Sequence, residues 1–164
     1  MSFTNSGKPF EKMLEHVFDA YRACGIMDIR KTDPPVKVVG TGVRRQVIFM
    51  DNPWVDFLGS WREKSGRMIA LEAKSTATNH LAVGKTGGVT ARQWQALTDW
   101  SSAGAAAGII WECPAGVFFV PLGQAAKAAN NRCRVTPEFG IKLPPGKGFV
   151  FWDVAAALRI VYDR

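Results

Sequence analysis

The sequence predicts an α/β fold in which a mixed central β-sheet is flanked by helices, and three observations lead there. Residues 9–24 place Phe10, Met13, Leu14, Val17, Phe18 and Tyr21 at the i, i+3, i+4, i+7 spacing of one buried helical face. Two pairs of short apolar runs, 54–59 with 68–74 and 108–113 with 117–121, flank the turn-forming triplets Lys64-Ser65-Gly66 and Pro114-Ala115-Gly116. Helical patterns at 90–103, 123–130 and 152–162 separate or follow these strands, so the chain reads as one sheet with helices laid on it.

In chain order, Pro9 suits the first turn of the opening helix and Gly25 its stop. Residues 26–30 read as a short strand that Pro34-Pro35 breaks. Residues 36–50 alternate valines with basic residues around Gly40 and Gly42, which predicts an extended, projecting hairpin. Residues 75–89 are polar and glycine-rich and are expected to form a mobile loop. Thr90 opens a helix whose larger apolar groups are Trp94, Leu97 and Trp100. After the second strand pair come an alanine-rich helix, an irregular basic stretch and a last helix. With 164 residues, 47% of them hydrophobic, residues 1–164 are expected to form a single domain with a packed core.

Composition excludes several classes. No apolar run approaches the roughly 20 residues of a membrane span, and the first residues lack a basic region followed by an apolar stretch. Three widely spaced cysteines, Cys24, Cys113 and Cys133, argue against a disulfide framework and for a reducing, cytoplasmic setting. Cys24 and Cys113 stand in apolar company and are read as packing residues. With His16 and His80 as its only histidines, the chain has no multi-histidine metal site. A net charge of +7 favours a polyanionic partner such as nucleic acid.

The chemistry concentrates in Met68-Ile69-Ala70-Leu71-Glu72-Ala73-Lys74. So apolar a strand is expected to be buried, yet it carries a carboxylate and an ammonium two residues apart, on one face. Burying either alone costs several kcal/mol, roughly, so an ion pair or a metal ion must compensate. If 54–59 pairs with 68–74 as a hairpin, Asp56 falls on the same face in either register. Two carboxylates suit Mg²⁺, which keeps several waters and is commonly held by one or two carboxylates plus substrate phosphate. A lysine beside them can hold a water or offset charge developing on phosphate. The same spacing is met by a structural salt bridge from Lys74 to Asp56 or Glu72.

Asp56 followed by Glu72-Ala73-Lys74 resembles the active-site motif of the PD-(D/E)XK nuclease superfamily. More narrowly, Asn5-Ser6-Gly7-Lys8-Pro9-Phe10-Glu11, Arg30-Lys31-Thr32-Asp33-Pro34-Pro35, Asp56-Phe57-Leu58-Gly59, Ala70-Leu71-Glu72-Ala73-Lys74-Ser75-Thr76 and Arg92-Gln93 are similar, in order, to RecU-type Holliday junction resolvases and their phage-borne relatives. Two departures stand out: Val55 precedes the aspartate where the superfamily often has proline, and Arg92 precedes Gln93 where the family often has histidine. The resemblance implies a restriction-endonuclease-like nuclease core. It implies a Mg²⁺-dependent endonuclease, with Mn²⁺ as a substitute, that resolves four-way DNA junctions by paired nicks as a homodimer in recombination or repair. Asp56 and Glu72 would bind the metal, Lys74 would serve the water, and Glu11 and Gln93 would support them. Another endonuclease of the same superfamily, restriction-like or repair, and a non-catalytic DNA-binding protein on the same fold are the alternatives.

Two of these residues have structural readings as well. Glu11 suits the dipole of its helix, and Thr90-Ala91-Arg92-Gln93 is a Thr-x-x-Gln capping box. DNA contacts are expected from Lys37, Arg44 and Arg45 on the extended segment, from Arg62 and Lys64 at the turn, and from Lys85 in the 75–89 loop. Gly84-Lys85-Thr86 lacks the upstream glycine, strand and helix of a phosphate-binding P-loop.

Overall fold

The chain enters the fold through helix α1 (Gly7–Ala23), in a computed structural model that describes residues 7–33, 36–39, 46–49, 54–84, 87–131, 133–148 and 151–163. The stripe Phe10, Leu14, Val17, Phe18 and Tyr21 is buried as its spacing requires. Gly25, at φ +75°, closes the helix: its N–H donates to Arg22 O and that of Ile26 to Tyr21 O, at 3.1 and 3.0 Å. Cys24 lies past the last helical residue and is exposed, which corrects its reading as a packing residue. The apolar stripe stops at Tyr21, and the chain has already turned away from the core.

The strands follow as β1 (Met27–Lys31), β2 (Val36–Val39), β3 (Gln46–Phe49), β4 (Phe57–Trp61), β5 (Arg67–Ser75), β6 (Ala106–Cys113), β7 (Gly116–Pro121) and β8 (Ile141–Lys142). Three helices complete the fold: α2 (Ala91–Ser102), α3 (Leu122–Asn130) and α4 (Val154–Tyr162). Six strands form one mixed sheet in the order β1-β4-β5-β6-β7-β8, and β2 pairs with β3 separately. The only parallel pair among them is β5 with β6. Helix α2 makes that crossover possible, because a parallel return cannot be closed by a tight turn. The mixed sheet flanked by helices is the fold class expected. β2 and β3 pair antiparallel, Val36 opposite Phe49 through Val39 opposite Gln46; residues 40–45 and 50 of the segment expected to project lie outside the described residues.

The sheet has two faces, and the alternation along β5 assigns its residues. Leu71 and Ala73 join the cluster built on α1 and α4, with Leu14, Phe18, Val154 and Leu158. Ala70 joins the cluster on the other face, with Leu97 of α2 and Ala125 of α3. Glu72 and Lys74, of the same parity as Ala70, therefore face α2. Gly59 permits the close approach of β1 and β4, since a Cβ there would sit 2.0 Å from Asp28 O.

Two expectations change. The strand expected at 54–59 begins at Phe57, leaving Asp56 just before the ladder. The 75–89 loop is anchored rather than free among its described residues: Leu81 and Val89 are fully buried, and Leu81 exchanges two main-chain hydrogen bonds of 2.9 Å with Val135. Its partner lies more than fifty residues downstream, so no local pattern announces the anchor. Among the described residues no helix is long and apolar enough to cross a membrane.

Candidate active site

The β4–β5 register sets Phe57 opposite Leu71, which brings the residue before Phe57 to the level of Glu72. Asp56 is fixed there from both sides. Its carbonyl accepts the Thr32 N–H at 2.9 Å, and its Oδ2 accepts the Ala73 N–H, also at 2.9 Å. Thr32 Oγ1 also donates to the Val55 carbonyl. The aspartate main chain thus continues the contact with β1, while its side chain takes the place of a ladder bond to β5.

Glu72 is fully buried, the only charged side chain so enclosed among the described residues. Its Oε1 receives two donors: Lys74 Nζ at 2.8 Å and the Nε2 of Gln93. Its Oε2 is buried with no hydrogen-bond partner. Burial pushes the Glu72 carboxyl up to about 8; the neighbouring Asp56 charge adds to the rise and Lys74 opposes it. Protonation would let Glu72 hydrogen-bond to Asp56, which relieves the orphaned oxygen. With Glu72 ionised beside the Asp56 charge, that oxygen needs a cation.

Gln93 satisfies both of its readings at once. Its Oε1 accepts the Thr90 N–H at 2.9 Å, its own N–H donates to Thr90 Oγ1 at 3.3 Å, and its amide nitrogen is left for Glu72. The capping box therefore holds the amide in the orientation that presents Nε2 to the carboxylate.

The structure brings Asp56, Glu72, Lys74 and Gln93 together. Glu11 stands on α1, which covers the opposite face of the sheet, and its carboxylate pairs with Lys31 at 2.8 Å, which Glu15 shares at 3.4 Å; Lys31 lies opposite Phe57, at the Asp56 end of the β1–β4 pair. Arg62 and Lys64 lie at the far end of the β4–β5 pair, where Arg62 meets Asp28 at 3.2 Å and Lys64 meets Asp163. The backbone of Lys37 is paired with Ile48, while Arg44, Arg45 and Lys85 lie outside the described residues. The main-chain N–H of Ala73 was invisible to residue-type reasoning, because any residue supplies it.

The donor set fits a hard divalent cation. Two adjacent carboxylates each have one oxygen committed to protein donors, and the other oxygen of Glu72 is desolvated and unpaired. Among the described residues no third acidic, histidine or cysteine side chain joins them, so water and substrate oxygens would complete such a sphere.

The family model for RecU, recombination protein U, matches residues 5–133. The chain belongs to the RecU family of Holliday junction resolvases. All four clustered side chains lie within the matched RecU segment, and β8 and α4 lie beyond it. Among solved structures, the chain is similar to Archaeoglobus fulgidus Hjc, described as a Holliday junction resolvase from an archaeal hyperthermophile. The identity is 19%, over 72% of this chain and 78% of that one, with a TM-score of 0.45. No curated protein matches.

Proposed function

We propose that this chain is a divalent-metal-dependent endonuclease that nicks four-way DNA junctions in pairs, with residues 1–164 forming one nuclease domain. One observation carries the reading. In a RecU-family chain, Glu72 is fully buried, held at one oxygen by Lys74 and Gln93, and left without a donor at the other beside Asp56. Such a carboxylate costs stability unless a cation joins it.

Asp56 and Glu72 would hold Mg²⁺, with Mn²⁺ as a substitute. Such an ion supplies polarisation of a phosphoryl oxygen and acidification of a bound water. The protein's own groups do the rest. Gln93 and Lys74 fix the Glu72 carboxylate, so its free oxygen points one way. The Ala73 N–H fixes Asp56. Lys74, whose side chain is 22% exposed, reaches the site mouth and offsets charge gathering on the phosphate. The proton that Glu72 keeps up to about pH 8 must leave before it binds metal, so activity is expected to rise with pH through the neutral range. Two nicks on a roughly two-fold junction call for two equivalent sites, which a homodimer supplies. The chain's net charge of +7 supports DNA as partner.

The test is cleavage of four-way junction, fork, single-stranded and linear duplex DNA of matched sequence, with and without Mg²⁺. Metal-dependent nicks confined to the junction are expected. Equal cutting of linear duplex would instead make this a less selective nuclease of the same fold. Junction binding with no nicking in Mg²⁺ or Mn²⁺ would leave a DNA-binding protein.

A further inference from the structure

An open cleft of about 300 Å³ is lined by Trp54, Arg92, Gln95, Ala96, Asp99 and Trp100. Hydrolysis makes no use of these residues. Both walls nevertheless belong to segments that carry the site. Trp54 precedes Asp56 by two residues, at most about 7 Å of chain. Arg92 precedes Gln93, whose amide donates to Glu72. The other four lie on α2 at i+3, i+4, i+7 and i+8 from Arg92, so they form one continuous helical face beneath it.

The chemistry of the cleft is specific. Trp54 is 51% exposed, although tryptophan loses most by facing water. It is not loosely held: the next residue, Val55, is fully buried and its carbonyl accepts from Thr32 Oγ1. The indole is therefore presented on a fixed backbone. The volume suits one flat ring system rather than an extended ligand. Arg92 supplies a guanidinium able to meet a phosphate in its plane. Asp99 is the acidic group in the lining, and its carboxylate accepts from Gln95 Nε2 at 2.8 Å, within α2. The anionic part of an occupant belongs at the Arg92 end, away from Asp99.

We propose that this cleft is a nucleobase subsite, in which Trp54 stacks on one base near the scissile phosphate and Arg92 meets a phosphate of the same nucleotide. The location of the scissile phosphate rests on the nuclease reading above. A duplex strand advances about 3.4 Å per nucleotide, so the base lies within a few nucleotides of the cut. An indole accepts every base, so the subsite fixes the register of the strand over the site rather than its sequence.

The experiment walks a single abasic nucleotide along one strand through the branch point of a four-way junction. The full chain and its Trp54→Ala, Trp54→Phe and Trp54→Leu variants are compared. Affinity without added metal and single-turnover cleavage in Mg²⁺ are both measured. At one position the abasic junction should bind the unaltered protein about ten-fold more weakly, the effect of losing one stacked base. Trp54→Ala and Trp54→Leu should lose the same factor on the intact junction and be indifferent to that position, while Trp54→Phe keeps most of the affinity. A half-exposed side chain tolerates truncation, and melting temperatures check this; if Trp54→Ala fails to fold, Trp54→Leu against Trp54→Phe carries the comparison. Variants that bind the intact junction normally, or that lose affinity by the same factor at every abasic position, overturn the subsite. Coupling at one position without any nicking would refute the nuclease and keep the subsite. Nicking with no coupled position would do the reverse.

Discussion

The two ends of the β4–β5 pair both gather charged residues, and they treat them in opposite ways. At the turn end, Arg62, Glu63 and Lys64 reach Asp28, Arg159 and Asp163, with side chains between 26% and 49% exposed. Water already solvates these groups, and pairs of this kind are worth about 0–1 kcal/mol each. At the other end Glu72 is fully buried, crowded by Asp56, and has an oxygen with no donor. The first arrangement is what charges do at a surface. The second opposes stability and persists only in a fold that has a use for it. Burial, not the number of charges, distinguishes the site.

The largest expected effect comes from Glu72→Gln. Its amide copies the protonated carboxyl in shape and hydrogen bonding but cannot serve a cation. Single-turnover junction cleavage should fall on the order of a thousand-fold, with affinity changed by less than about three-fold. Cleavage within ten-fold of the unaltered protein would erase the contrast between the two ends.

Lys74→Met is next. If the ammonium offsets charge on the phosphate, cleavage should fall about a hundred-fold even at saturating Mg²⁺. If it only neutralises Glu72, the metal-free protein should melt lower at pH 8, and saturating Mg²⁺ should return both stability and activity. Rates and melting temperatures with and without metal separate the two.

The pH dependence sharpens the comparison further. Glu72 binds its proton more tightly folded, up to about pH 8, than in an unfolded chain, near 4.5. Its contribution is therefore present in full below about pH 4.5 and is lost as pH rises through 8. The metal-free melting temperature should decline across that window by on the order of 10 °C, at ~1.4 kcal/mol per pKa unit and ~2–4 °C per kcal/mol at this size. Glu72→Gln should flatten the decline. At the turn end Asp28 is held below its usual range, first by its hydrogen bond from Arg30 and then by Arg62, which favours the fold at higher pH. It is solvent-screened and should leave the slope to Glu72.

Gln93 divides into two roles that separate variants can split. Gln93→Ala removes both the cap and the donor, costing about 1 kcal/mol, or ~2–4 °C of melting temperature, and about ten-fold in cleavage. Gln93→Glu keeps a capping-box acceptor but sets a third carboxylate against Glu72. It should retain the helix while losing more activity than the alanine. The smallest effects are expected at the turn: Arg62→Ala and Lys64→Ala should each shift stability by less than about 0.5 kcal/mol and cleavage by less than two-fold. A large loss of cleavage there would mean that the far end touches DNA as well.

What the sequence by itself determined is whatever has a local period. The α1 stripe, the two strand pairs, the capping box at Thr90 and the shared parity of Glu72 and Lys74 are all readable from neighbours in the chain, because helix and strand geometry repeat every few residues. The meeting of Asp56 with Glu72 was legible too, since one turn joins their strands and parity survives a change of register. Tertiary structure decided the rest. The face on which each helix lies put Gln93 beside Glu72 and paired Glu11 of α1 with Lys31, and no residue pattern states which face a helix will choose. The anchor of Leu81 on Val135 and the exposure of Cys24 were likewise hidden. Most of all, that Oε2 of Glu72 would be desolvated and without a donor depends on how many groups crowd around one atom, which only the packed chain defines.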